Sequence, residues 1–93
     1  MRLPGEVHED EGFTVVEGRA GPAHADGRVV SVPLGQDLAV EIGSRSLGDF
    51  RAAGVPPEGL RGQLLRVRGR VRRGWDGLVI RVDHPEQIER LRE

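Results

Sequence analysis

The chain has 93 residues, of which 31% are charged and 37% hydrophobic. This length and composition allow one small domain with a single core, and they exclude wholesale disorder. Cysteine is absent, which excludes disulfides and thiolate chemistry. No apolar run approaches the roughly 20 residues of a membrane helix. The opening residues have no signal-peptide core, so we expect a cytoplasmic protein without a membrane partner, or an excised domain of an exported protein.

The charge of the chain is close to balanced but unevenly distributed. All 14 basic residues are arginine, and the formal net charge is −1. Residues 1–60 hold five arginines and ten acidic residues, whereas residues 61–93 hold nine arginines and five acidic residues. A GC-rich genome accounts for the exclusive use of arginine. The alternative is selection for the planar guanidinium group, which binds anions through two N–H groups at once. The C-terminal third is therefore the part to search for an anion-binding surface.

Three predicted strands follow a polar N-terminus. Residues 1–12 are acidic, with little to bury, and are interpreted as a mobile leader, so the domain spans residues 13–93. Strand-forming residues predict strands over Phe13–Ala20 and Arg28–Leu34. Leu38–Ile42 alternates between apolar and other residues, which predicts a third, half-buried strand.

A short helix is predicted after the third strand. Ser46 has the side chain of an N-cap residue, and Leu47, Phe50 and Ala53 share one face at helical spacing. Gly54 suits the position that ends the helix. A helix of barely two turns is stable only when it docks on something. We therefore expect it to close one end of a barrel.

Two further strands and a terminal segment complete the chain. Gln63–Arg73 is the longest predicted strand, and Gly74–Gly77 joins it as a hairpin to a strand over Leu78–Asp83. Residues 85–92 are predicted to form a short helix, because Pro85 suits its first turn. The alternative for this segment is an extended tail that rejoins the sheet.

The order of these elements predicts the fold class. Three strands, a short helix and two strands in a hairpin are the connectivity of the five-stranded oligonucleotide/oligosaccharide-binding (OB) barrel. The predicted class is therefore all-β with one short helix, arranged as β1-β2-β3-α-β4-β5. An SH3-like barrel or an open β-roll is the alternative.

The C-terminal third also resembles a known family. Gly62, the run Arg66-Val67-Arg68-Gly69, Val71 and the tail His84–Glu89 are similar to the last strands of a bacterial OB-fold family. That family includes the C-terminal domains of thermonuclease-related proteins, whose nuclease residues lie in neighbouring domains. The resemblance therefore implies an OB barrel without catalytic residues. Val29–Gly35 departs from the family, which usually has an aromatic-rich strand there.

The sequence contains no recognisable catalytic or metal-binding pattern. The three histidines are His8, His24 and His84, and none has the spacing of a zinc site. A phosphate loop, a nucleophile elbow and a paired-carboxylate spacing are also missing from the sequence. We expect a non-enzymatic module with no cofactor and no metal.

The predicted binding site is rich in arginine. Alternate residues of the long strand are arginines that share one face, with another arginine on the partner strand and a tryptophan at the hairpin tip. In OB barrels the hairpin, here 73–77, and the loop after the first strand, here 21–27, flank the ligand groove. A tryptophan there stacks on a base while arginines contact phosphates, which predicts binding of single-stranded DNA or RNA. The site residues are Arg66, Arg68, Arg70, Arg72, Arg73, Trp75 and Arg81.

A second hypothesis explains the same arginines without nucleic acid. They pair with Glu17, Glu41 and Asp83 on adjacent strands, and Trp75 packs over the barrel end or across its hairpin. The protein is then a structural barrel or binds another protein. The two hypotheses differ in whether the arginines are free or paired.

Overall fold

The computed structural model describes residues 13–74 and 77–92, so the predicted leader 1–12 and Trp75 lie outside the described residues. One short helix and seven strands occur within these ranges. They are β1 (Phe13–Arg19), β2 (His24–Asp26), β3 (Val29–Leu34), β4 (Leu38–Gly43), α1 (Leu47–Ala52), β5 (Leu64–Gly74), β6 (Gly77–Val82) and β7 (Ile88–Arg90).

All seven strands belong to one sheet with the order β1-β5-β6-β4-β3-β2, and β7 pairs with β5 outside this path. Neighbouring strands are antiparallel except β4 and β6, which run parallel. The 11-residue strand β5 pairs with three others: β1 on one edge, and β6 and β7 on the other. β5 is therefore the centre of the sheet's pairing.

The sheet is not closed. β1 and β3 meet only at the bridge between Ala20 and Leu34. Two flanking backbone hydrogen bonds support it, from the Gly21 amide to the Pro33 carbonyl (2.9 Å) and from the Gly35 amide to the Arg19 carbonyl (3.2 Å). The prediction of a mostly β protein with one short helix is confirmed. The closed barrel of five strands is not, because the described residues form seven strands in an open sheet.

The two additional strands lie where a loop and a helix were predicted. β2 occupies the predicted loop 21–27, because Gly27 has a φ of 65° and turns the chain back into β3. Pro85–Gln87 forms only a 3₁₀ turn, so the predicted C-terminal helix is wrong. The alternative of an extended tail is found, since Ile88 pairs with Val67 and is buried.

The core follows the predicted alternation of the strands. The inward residues of β4 (Leu38, Val40 and Ile42) are at most 4% exposed, as are Leu65, Val67 and Val71 of β5. Helix α1 adds Phe50, which is completely buried. The buried hydrophobic cluster of the described ranges consists of Val16, Ala20, Val32, Leu34, Leu38, Val40, Ile42, Phe50, Val55, Leu60, Leu65, Val67, Val71, Ile80, Val82 and Ile88.

Helix α1 lies between β4 and β5, as predicted. It begins at Leu47, directly after Ser46, although the Ser46 side chain makes no capping hydrogen bond. Gly54 has a φ of 80°, which few residues other than glycine adopt, and it ends the helix as predicted. No helix among the described residues is long and apolar enough to cross a membrane.

The junction between β6 and β7 depends on one side-chain amide. Both strands pair with the same edge of β5, and the turn between them interrupts the ladder. Nε2 of Gln87 donates to the Arg68 carbonyl (2.9 Å), and its Oε1 accepts from the amides of Asp83 and His84 (both 2.9 Å). Gly69 lies beside this amide and faces the backbone of Arg81. The amide thus replaces the missing ladder hydrogen bonds.

Gly69 has no room for a side chain, which predicts a strong effect of Gly69→Ala. A Cβ at this position would lie 2.6 Å from the Arg81 carbonyl oxygen and 3.0 Å from Ile80. Because backbone must shift, we expect the free energy of unfolding to fall by about 1–3 kcal/mol in urea denaturation. The control is Gly48→Ala in α1, where nothing lies within 4 Å and alanine favours the helix. Equal stability of the two variants would contradict this account.

Candidate functional site

The outward residues of β5 lie on one face of the sheet, opposite the core. In the register with β1, Arg66 lies opposite Glu17, Arg68 opposite Val15 and Arg70 opposite Phe13. All four alternating arginines of β5 are partly or fully exposed. The predicted arginine stripe is therefore present on the outer surface of the sheet.

Arg66 is an ion-paired member of this stripe. Its Nε and Nη2 donate to Oε2 of Glu17 at 3.2 and 3.0 Å, and its Nη1 lies 3.3 Å from Oε1 of Glu89. The hydrogen bond to Glu17 raises the pKa of the Arg66 guanidinium above its usual value. Arg66 is thus held by two carboxylates from the strands on either side of β5.

Arg72 and Arg81 share a carboxylate. Nη2 of Arg72 lies 2.6 Å from Oε1 of Glu41, and Nη1 of Arg81 lies 3.1 Å from the same oxygen. Nε of Arg81 also donates to Oδ1 of Asp83 at 3.1 Å. The hydrogen bonds to Asp83 and Glu41 raise the pKa of Arg81. Three of the predicted site arginines therefore pair with Glu17, Glu41 and Asp83, as the second hypothesis expects.

Arg68 and Arg70 differ from the other arginines of the stripe. Both are exposed, and neither has a hydrogen-bond or ion-pair partner among the described residues. Arg70 also lies directly opposite Arg81 in the pairing of β5 with β6. Like charges in directly opposed positions of a sheet destabilise it. The two unpaired arginines are therefore available to an anion from solvent.

An exposed aromatic ring adjoins these arginines. Phe13 is 62% exposed and is the one large hydrophobic residue in the described ranges with such exposure. Phe13 was not among the predicted site residues, although the alternation of β1 places it on the side of the strand opposite the buried Val16. Phe13 and Val15 share a side of the strand with the charged Glu17, and the buried Val16 lies on the other. We call the outer surface of β1, β5 and β6 around Phe13, Arg68 and Arg70 the basic face.

A separate groove lies on the outer surface of β3 and β4. It has a volume of about 640 Å³, and β2 and the β5–β6 hairpin flank it, as predicted for the two loops. Arg73 is the one site arginine that lines it, together with the carboxylates of Asp26, Asp37 and Glu41. We call it the acidic groove. Arg72 adjoins this groove through Glu41, whereas Arg68 and Arg70 do not line it, so the predicted site combined residues of two surfaces.

Two of the three histidines lie within the described ranges. His24 lines the acidic groove and His84 precedes the turn before β7. Within the described ranges, no three side chains of His, Asp or Glu are arranged to hold a metal ion.

No protein-family model matches this chain, and no curated protein sequence matches it significantly. The resemblance to bacterial OB-fold domains therefore stays a prediction based on the residues quoted above.

The shared carboxylate of Glu41 predicts a salt-dependent change in stability. Glu41→Gln leaves Arg72 and Arg81 without their common partner, so we expect the free energy of unfolding at low salt to fall by about 1 kcal/mol. The difference should shrink at about 1 M salt, because the charges of Arg72 and Arg81, whose side chains are 53% and 40% exposed, are then screened. Glu86→Gln is the control, since Glu86 is exposed and has no partner among the described residues. An identical effect of both variants would argue against the shared pair.

Proposed function

We propose that the protein is a non-enzymatic OB-type module that binds single-stranded nucleic acid through the basic face. The OB assignment is supported by strand order: β1, β3 and β4 precede α1, and β5 and β6 follow it as a hairpin. β2 is then an excursion of the loop between the first two long strands. The Ala20–Leu34 bridge is where such a barrel would begin to close.

The observation that carries the ligand assignment is the combination of Arg68, Arg70 and Phe13. Arginines two residues apart on one strand face lie about 6.7 Å apart, so they can contact different phosphates of one strand. An exposed phenylalanine ring offers a flat surface on which a base stacks, whatever its identity. Both parts of a non-specific single-strand site are therefore adjacent on β1 and β5.

The electrostatics of the sheet favour an anionic ligand at this place. Arg81, opposite Arg70, is compensated by Glu41 and Asp83, but Arg70 has no such partner among the described residues. A bound phosphate reduces the repulsion between the two guanidinium groups. The acidic groove is less favourable for phosphates, because Asp26 and Asp37 outnumber Arg73 there and Glu41 is already paired with Arg72 and Arg81.

The proposed surface therefore differs from the usual ligand groove of an OB barrel. That groove lies between the hairpin and the loop after the first strand, and here it is the acidic groove. Trp75 follows the end of β5 at the hairpin, and its stacking on a base is still a prediction. Arg66 and Arg72 are ion-paired with carboxylates, so their charges are compensated and they contribute little to the proposed site.

Removal of the two unpaired arginines tests the proposal. We expect Arg68→Gln/Arg70→Gln to weaken binding of fluorescein-labelled oligo-dT at least about tenfold at 50 mM salt, as measured by anisotropy. Because each lost phosphate contact removes about 0.7 from the slope of log K against log salt, the slope should fall by about 1.4. Unchanged affinity and slope would refute a role for these residues.

The matched control removes two arginines elsewhere. Arg61 and Arg92 are exposed, have no partner among the described residues, and lie before β5 and after β7. Arg61→Gln/Arg92→Gln changes the net charge by the same amount, so we expect less than about a threefold loss of affinity. If both double variants lose affinity equally, overall charge rather than the basic face governs binding. Absence of any binding by the unaltered protein at tens of micromolar contradicts the proposal as a whole.

A protein partner is the second candidate, because the surface separates an acidic groove from a basic face. The two surfaces are complementary, so a second copy of the chain can dock its basic face on the groove. In this case sedimentation velocity at about 100 µM and low salt should detect a dimer. Asp26→Asn/Asp37→Asn should abolish it, and Glu86→Gln should not. A strict monomer under these conditions excludes self-association.

A further inference from the structure

A second basic surface lies where β4 ends and the chain enters α1. It is a pocket of about 720 Å³ whose charged side chains are three arginines and one aspartate. Three guanidinium groups against one carboxylate leave two positive charges. The lining residues are Arg28, Gly43, Ser44, Arg45, Ser46, Arg81 and Asp83.

Arg81 is fixed in this pocket with part of its guanidinium unused. Glu41 and Asp83 bind its Nη1 and Nε, whereas its Nη2 has no hydrogen-bond partner among the described residues. Nη2 lies against Gly43, where an added Cβ would come within 2.5 Å of it. Gly43 therefore leaves the space that this guanidinium occupies. Two N–H groups of Nη2 are thus positioned at the pocket without an acceptor.

The other two arginines come from separate parts of the chain. The Ser44 amide donates to the Arg28 carbonyl at 2.8 Å, which holds the turn before β3 beside the segment that contains Arg45. Arg28 and Arg45 are exposed, and the described residues offer neither of them an ion-pair partner. The Ser46 hydroxyl makes no capping hydrogen bond with α1. Each of these groups can donate to a ligand.

We propose that this pocket binds the dianionic phosphate group of a phosphate monoester. The surplus of two positive charges matches a monoester, which carries close to two negative charges at neutral pH. A backbone phosphodiester carries only one. Guanidinium groups suit this ligand because their planar N–H pairs match the oxygens of phosphate. The monoester is the terminal phosphate of a nucleic acid or part of a small phosphorylated molecule.

This inference does not depend on nucleic-acid binding by the basic face. Arg28 and Arg45 of the pocket lie outside that face. Arg81 of β6 is the one arginine of the pocket that lies beside the basic face. If the protein binds phosphate in the pocket but binds no oligonucleotide, the phosphate site is supported and the proposed function is refuted. If it binds oligonucleotide but no phosphate in the pocket, the proposed function is supported and the phosphate site is refuted.

Titration with inorganic phosphate at constant ionic strength, followed by amide NMR of the full chain, tests the site. We expect saturable shifts at residues 43–46 with a dissociation constant in the millimolar range. Arg45→Gln and Arg28→Gln should each weaken binding about tenfold, equivalent to about 1.4 kcal/mol. Arg61→Gln removes the same charge in the turn before β5 and should leave binding unchanged. The adjacent Gly62 amide donates to the carbonyl of Ala20, which bridges to Leu34 at the end of β3 remote from Arg28. Shifts that do not saturate, or equal losses in all three variants, overturn the proposal.

Short oligonucleotides identify the source of the phosphate. A 5′-phosphorylated dT trimer should shift residues 43–46 at lower concentration than its 5′-hydroxyl counterpart, because only the former carries a dianion. If inorganic phosphate binds as tightly as the phosphorylated trimer, the site recognises the phosphate group alone. Equal shifts of these residues by the two trimers would show recognition of the phosphodiester backbone and would overturn the monoester assignment.

Discussion

The structure depends on β5, the strand that pairs with three others. Buried apolar residues and outward arginines alternate along it. Its inward side chains Leu65, Val67 and Val71 are buried, and each contributes about 1.5–3 kcal/mol by leaving water. Interactions among exposed charges are worth about 1 kcal/mol or less each. Burial therefore determines the register and forces the alternating arginines onto the outer surface, even where Arg70 meets Arg81. The basic face is a consequence of the core.

The same register divides these arginines into two groups with different chemistry. Glu17 and Glu41 stand beside Arg66 and Arg72, so these arginines strengthen the sheet. Arg68 lies beside an apolar residue of β1, and Arg70 beside an exposed ring, so both keep their donors for a ligand. The carboxylates of β2 and β4, and of the turn between β3 and β4, make the neighbouring groove acidic. We therefore propose that a polyanion binds the basic face rather than the groove.

The local features of the fold were predictable from the sequence, because the period of alternation is visible in one segment at a time. The inward residues of β4, the outward arginines of β5 and the end of α1 at Gly54 belong to this class. Pairing between distant segments was not predictable, so β7 and the open edge between β1 and β3 differed from expectation. β2 pairs with the adjacent β3, but its three residues lie in a segment whose glycines and proline favoured a loop. The pocket of Arg28, Arg45 and Arg81 was missed for the same reason, since only the folded chain brings these residues together.

The central claim is that the basic face, and not the acidic groove, binds single-stranded nucleic acid. Amide chemical-shift mapping with unlabelled oligo-dT at about 50 mM salt tests it most directly, because both surfaces are observed in one experiment. We predict that the largest shifts fall on residues 13–17 of β1 and 66–70 of β5. Shifts concentrated on residues 29–41, which form much of the groove, would contradict the account.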